Sequence, residues 1–337
     1  MIPIKHSHSF PGLQPLLQAG TAFLYHTATF PSMVKDSPAR VLLSTAADRS
    51  RVISDLVQEF DLPSLRDAVV AIKGNFNSAD PFPATTHPET LASLIREIQI
   101  HSPREIVLAE RSGMGATRQV LQDLGILPLA DAMNAHVKIL DTMDASGWEQ
   151  IQDPRLHWTR GFAIARLFRE ADVVIQTCCL KTHRFGGHFT MSLKNSVGLV
   201  ARRVPGDPHD YMGELHSSPH QRRMIAEINA FYPVHMVLMD ATLGFATGGP
   251  EQGVLIQPGL FLASSDRVAL DAVGVALLRL HGSTPQVMQG PIFGLEQIGR
   301  AAVMGVGVKG PDQIEIVSLD EGSQDTAKRL EVLLKKE

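Results

Sequence analysis

Cysteine is nearly missing from this chain. Of 337 residues only Cys178 and Cys179 carry thiols, and they are neighbours. Two thiols fall short of the set that holds an iron–sulfur cluster, so no intrinsic cluster is expected. Adjacent residues on an extended chain point to opposite faces, which argues against a bridge between them. They read as buried, reduced thiols of a cytoplasmic protein. Aromatic residues make up 6% and the formal net charge is -4, a poor match to a nucleic-acid surface. No run approaches the roughly 18 apolar residues of a membrane span. The opening "MIPIKHSHSF" lacks the apolar stretch of a secretory signal. Neither nucleic acid nor membrane is therefore expected as a partner. The patterns G-x-x-x-x-G-K-[ST], H-E-x-x-H and G-x-S-x-G are also absent. "GVGVKG", 305–310, does satisfy G-x-G-x-x-G, but it follows a helical pattern and precedes a strand. That is the reverse of a dinucleotide fingerprint and reads as a plain turn.

What is present is a recurring unit of short apolar strand and amphipathic helix. Strand-like runs are "RVLLST" (40–45), "AVVAIK" (68–73), "EIVLAE" (105–110), "DVVIQT" (172–177), "HMVLMDA" (235–241), "GLFLAS" (259–264) and "DQIEIVSL" (312–319). Helical patterns occupy 48–60, 87–98, 116–125, 218–231, 265–280 and 325–336. Continuous apolar strands alternating with helices predict an α/β fold, a mostly parallel sheet with helices on both faces. Residues 141–160 and 200–220 lack periodicity and read as loops over a cleft or a hinge between two lobes. In such sheets ligands gather beyond the carboxyl ends of the strands, which directs attention to the residues found there.

After 68–73 come Lys73 and Asn75. Thr86 and Glu89 fit a capping box with Pro88 in the first turn. His87 then lies at a helix N-terminus, where an anion is favoured. After 105–110 comes "RSGMGA", a glycine turn. After 172–177 the chain turns basic: "LKTHRFGGHFTMSLKNSVGLVARR", 180–203, has five Lys or Arg and no Asp or Glu. Lys181 and His183 share a face if this segment is extended. Lys194 and Asn195 follow on a helical pattern. Unpaired like charges next to a buried strand point to an anionic ligand.

Histidines crowd into the same region, with five of the 14 between His183 and His220. Imidazole serves both proton transfer and metal ligation. A divalent metal on His183, His209, His216 and Asp240 is one reading, although the spacings match no closed zinc pattern. Asp240 ends strand 235–241, and a glycine-rich loop with Gly248 and Gly249 follows, able to approach a ligand closely. Asp266 reads as a helix cap. Asp271, inside that helix, is expected to pair with a lysine of the cleft.

The segments "IKGNFNSADPFPATTHPETLASLIREI", "DVVIQTCCLKTHRFGGHFTMSLKNSVGLV", "VLMDATLGFATGGPEQG" and "LASSDRVALDAVG" resemble, in order, the family called domain of unknown function 362. The likeness runs from about Ala68 to about Leu280. It implies a family-defining domain over 68–280, flanked by an N-terminal strand and helix segment, 1–67, and a C-terminal extension, 281–337. The family has no settled activity, and some members carry an iron–sulfur module that this chain lacks. His183, Gly186–Gly187 and Lys194 are also similar in spacing to the nickel-pincer lactate racemases, in which a lysine holds a pyridinium-derived cofactor. The resulting expectation is an enzyme for a small carboxylate or phosphorylated molecule, working by isomerisation or an assisted redox step. Lys73, Lys181 and Lys194 would neutralise the anion, Asn75 and Asn195 orient it, and His183, helped by His87, move a proton. The alternatives are a carrier of a metal or metallocofactor, or an accessory subunit that docks an iron–sulfur partner through its basic segment.

Overall fold

The computed structural model describes residues 37–336 except 47 and 61. Residues 1–36 of the expected N-terminal segment lie outside the described residues. The strands are β1 (Ala39–Thr45), β2 (Val69–Lys73), β3 (Glu105–Glu110), β4 (His136–Ile139), β5 (Trp148–Ile151), β6 (Phe162–Ala165), β7 (Val173–His183), β8 (His188–Phe189), β9 (Met236–Thr247), β10 (Val254–Ile256), β11 (Leu260–Ser264) and β12 (Ile314–Ser318). Ten of them form one sheet whose main path is β12-β1-β11-β9-β7-β2-β3-β4, with β8 on β7 and β10 on β9. Strand β11 is antiparallel to both its neighbours, β1 and β9. The remaining neighbours on the path are parallel. The fold is therefore α/β with a mostly parallel mixed sheet. A separate two-stranded sheet pairs β5 with β6.

The helices are α1 (Arg49–Gln58), α2 (Pro88–Ile100), α3 (Thr117–Asp123), α4 (Ile126–Ala132), α5 (Leu167–Glu170), α6 (Ser192–Asn195), α7 (Tyr211–Ser217), α8 (Gln221–Ile228), α9 (Arg267–Leu280), α10 (Pro285–Met288), α11 (Glu296–Val303) and α12 (Gln324–Leu334). They cover both faces of the sheet, as continuous apolar strands require. One core joins Val174, Leu180 and Val237 with α8, α9, α11 and α12. The other joins Val70, Ile175 and Leu238 with α1, α2 and α4. No helix among the described residues is long and apolar enough to cross a membrane.

Several boundaries differ from the sequence reading for identifiable reasons. Expected helix 116–125 is α3, which stops short of Gly125 as expected, and that glycine's φ of +70° separates it from a further helix, α4, absent from the sequence reading. Strands β7 and β9 run well past the apolar stretches that signalled them, because each hydrogen-bonds the other beyond that point. The aperiodic stretches 141–160 and 200–220 contain β5 and α7. His87, not Thr86, caps α2, its Nδ1 accepting the Glu89 N–H at 3.2 Å. Thr86 is occupied elsewhere, accepting from the Asn75 N–H and bonding to Thr177. Asp266 does cap α9, accepting from Val268 and Ala269. "GVGVKG" is the expected turn between α11 and β12.

Candidate functional site

Strand lengths create the site. Lys73, the last residue of β2, pairs with Gln176. Strand β7 then continues from Thr177 to His183 alongside β9, an overhang of about 20 Å at strand rise. A cavity of about 600 Å³ occupies the step. The cleft thus opens at the carboxyl ends of β2 and β3, beside the β7 overhang. The ends of β2 and β3 supply Lys73, Asn75, Glu110 and Arg111; the overhang supplies Lys181 and His183. Helix α6 adds Lys194 and Asn195, and the chain from 202 to 216 adds Arg202, Arg203, Asp210 and His216.

The floor is a neutralised pair. Lys73 Nζ lies 2.6 Å from Glu110, and both side chains are 2% exposed. The same ammonium donates to the Gly74 carbonyl at 2.6 Å and to Asn195 Oδ1 at 3.2 Å. Burial lowers the Lys73 pKa against the opposing pull of Glu110. Asn195 also donates to the Thr177 carbonyl, and Asn75 to the Ala84 carbonyl and Cys179 Sγ. These groups lock β2, β3 and β7 together. Gly198 lies over the pair, where a Cβ would stand 2.7 Å from Lys73 Cε and 2.9 Å from Glu110 Oε1.

The walls are less balanced. Lys181 is 2% exposed and donates to the Ala84 carbonyl, with no carboxylate in ion-pair contact among the described residues. Lys194 is half-buried and has neither a hydrogen-bond nor an ion-pair partner among them. Burial, then the neighbouring charges of Lys181 and Arg111, lower its pKa from 10.5 to about 8. Its backbone is firmly held. Asp271 does not pair with a lysine as expected; it accepts from the Ser192 N–H and hydroxyl and from the Leu193 N–H, at 2.6–3.0 Å. Burial raises the Asp271 pKa to about 6. Of the other basic residues, Arg184 is paired with Glu251 and Arg203 with Asp210, whereas Arg202 donates to the Gly113 carbonyl and has no carboxylate partner among the described residues.

Two histidines on the cavity hold opposite tautomers. His183 Nδ1 accepts the Gly187 N–H at 3.1 Å, which leaves the proton on Nε2. Burial, with Lys194 and Lys181 next, lowers its pKa to about 2. A Cβ at Gly187 would lie 2.7 Å from that Nδ1, so glycine permits the contact. His216 Nδ1 lies 2.7 Å from the Met212 carbonyl, an acceptor only, so Nδ1 carries the proton and Nε2 a lone pair. Burial lowers the His216 pKa as well. The cavity therefore meets a neutral N–H donor and a neutral base.

Other expected site residues lie outside the cavity lining. Asp240 is ion-paired with Arg49 and accepts from Thr90 at 2.8 Å. His87 serves as the α2 cap. His209 Nε2 bonds Glu214 at 2.8 Å. Gly248 and Gly249 tie their loop to β7, with the Gly249 N–H donating to Thr182 Oγ1 and its carbonyl accepting from Arg184. A Cβ on Gly249 would collide with the Thr182 carbonyl. Among the described residues no three His, Cys, Asp or Glu side chains gather as a metal set. Arg111 was missed by the sequence reading. It is 3% exposed, and it donates to the Val197 and Val200 carbonyls, clamping the segment after α6 to the end of β3. Its place directly after a strand end was the available signal.

Comparison with curated proteins gives no match. Among solved structures, the apoprotein of a lactate racemase from Thermoanaerobacterium thermosaccharolyticum is similar at 16% identity with a TM-score of 0.42. The alignment covers 68% of this chain and 55% of that one, so the chain spans about half the length of the racemase. The sequence profile of the family described as domain of unknown function (DUF362) matches residues 70–276. That span carries both overhanging strands, the three cavity lysines Lys73, Lys181 and Lys194 and both cavity histidines, and the chain belongs to this family.

Proposed function

We propose that the protein is an enzyme that binds a small carboxylate or phosphorylated substrate in this cavity and moves a proton on it, an isomerase-like chemistry. The observation that carries this reading is Lys194, a cation on a cavity wall with no hydrogen-bond or ion-pair partner among the described residues, beside Lys181, which has a carbonyl partner but no carboxylate among them. An anion between them removes their repulsion, and each charge-assisted hydrogen bond it accepts contributes about 1.5–3 kcal/mol. His183 donates from Nε2 to substrate oxygen, while the His216 Nε2 lone pair takes the proton. Lys73, Asn75 and Asn195 hold the frame on which these groups stand. We place this activity in the cytoplasm, where adjacent unbridged thiols such as Cys178 and Cys179 persist.

Calorimetric titration with malonate, inorganic phosphate and 2-hydroxybutyrate tests the anion site. At least one anion is expected to bind wild type, and Lys194→Met to weaken it about tenfold or more, about 1.4 kcal/mol. Raised salt should weaken it further. Identical titrations for the wild type and Lys194→Met would defeat the assignment.

A further inference from the structure

Anion binding alone does not account for how Lys194 is held. The residues on either side of it are pinned. Ser192 and Leu193 are fixed by Asp271, and Asn195 by the Lys73 ammonium and the Thr177 carbonyl. Between these anchors the Lys194 amine has no hydrogen-bond or ion-pair partner among the described residues, and Lys194 lines the cavity. The other lysines there are engaged, Lys73 with Glu110 and Lys181 with the Ala84 carbonyl. An amine carried on a firmly held backbone beside other cations has the surroundings of a covalent nucleophile. Both histidines lie within electrostatic range of it, one an N–H donor and the other a base.

We propose that Lys194 condenses with the carbonyl group of a small oxo-acid to form an imine in this cavity. This deepens, and rests on, the anion-site reading above. The acid's carboxylate lies toward Lys181 and the Nε2–H of His183, which leaves its carbonyl carbon for the Lys194 amine. The nitrogen lone pair forms the C–N bond while the C=O π pair moves onto oxygen. One proton leaves nitrogen through His216 Nε2 and is returned to that oxygen, giving a carbinolamine. The hydroxyl then departs with the second nitrogen-borne proton as water, leaving C=N. The step uses no oxidant or reductant. Once its nitrogen takes up a proton from solvent, the product is an iminium that draws electrons from the adjacent carbon and acidifies its C–H bonds. That is the proton an isomerase-like site would move. An amine with a pKa of about 8 supplies the neutral form far more readily near neutral pH than one at 10.5.

The test is reductive trapping. The full chain is incubated with 2-oxobutyrate and sodium cyanoborohydride, digested, and mapped by mass spectrometry. The expected result is one reduced adduct on the Lys194 peptide, formed at least tenfold faster than on any surface lysine and suppressed by 2-hydroxybutyrate, which has the carboxylate but no ketone. Lys194→Arg should lose that adduct. The wild-type peptide map stands without any variant. Labelling spread evenly over surface lysines overturns the proposal. If 2-hydroxybutyrate binds in a Lys194-dependent manner and no adduct forms there, the imine is refuted while the anion site survives. If neither acid binds and nothing is trapped, both readings fall.

Discussion

At the level of single side chains, Lys194 sets stability against function. Its pKa of about 8 rather than 10.5 represents about 3 kcal/mol of opposition to its charge at neutral pH. The sign follows from linkage. A lysine with a depressed folded pKa is charged in both states below about pH 8, and there the folded protein bears the full cost. Between about 8 and 10.5 the unfolded chain keeps a proton that the folded one has released, so this residue makes stability rise with pH in that window. Lys194→Met is therefore expected to stabilise the protein at pH 7 by about 1–3 kcal/mol, read by urea denaturation, while removing anion affinity. A variant less stable than wild type would make Lys194 a structural residue. The same charge predicts that anion affinity in wild type declines as pH rises through about 8 and upward, and calorimetry across that range checks it.

Among elements, the Lys73–Glu110 pair is the clamp between β2 and β3. Glu110 also accepts from the Phe76 and Arg111 N–H groups, so it ties down both loops that leave these strands. Lys73→Met leaves that carboxylate buried without its cation and should cost about 3–5 kcal/mol. Adding Glu110→Gln removes the stranded charge, keeps one acceptor oxygen, and should restore at least about 1 kcal/mol. Equal stability of wild type and Lys73→Met would show that the pair clamps nothing. This clamp also marks the limit of sequence reading. Positions of β1, β2, β3, β7, β9, β11 and β12 and of the longer helices were legible, because apolar runs and periodicity report burial directly, whereas the short strands β4, β5, β6, β8 and β10 were not. Lys73, Lys181, His183 and Lys194 were legible as cavity residues from the strand-end rule and the local lack of acidic residues. The pairing of Lys73 with Glu110 was not, since it joins residues far apart in sequence. Nor could sequence order alone say that Asp240 would be taken by Arg49 from α1. The tautomers of His183 and His216 depend on backbone partners that only the folded chain supplies.

For the whole molecule, the family-matched span of 70–276 is not the structural unit. Strand β1 sits between β12 and β11 inside the sheet. Val41 and Leu43 enter one core, and Leu42 the other. A chain trimmed to 70–276 uncovers the β11 edge and both cores, and an unpaired apolar edge invites association. It should aggregate and lack a cooperative thermal transition; a monomer that unfolds cooperatively would contradict this. The overhang of β7 has a consequence of another kind. Just where it leaves Cys179, its register against β9 shifts from Asp240 to Gly244. Side chains on such a strand alternate with a period of two, so Lys181 and His183 face the cavity only because their phase is kept after that shift. Loss of a single residue at Leu180 would invert the phase. It would present Thr182 to the ligand and drive two basic groups toward the apolar side, so this strand tolerates a change of residue far better than a change of length.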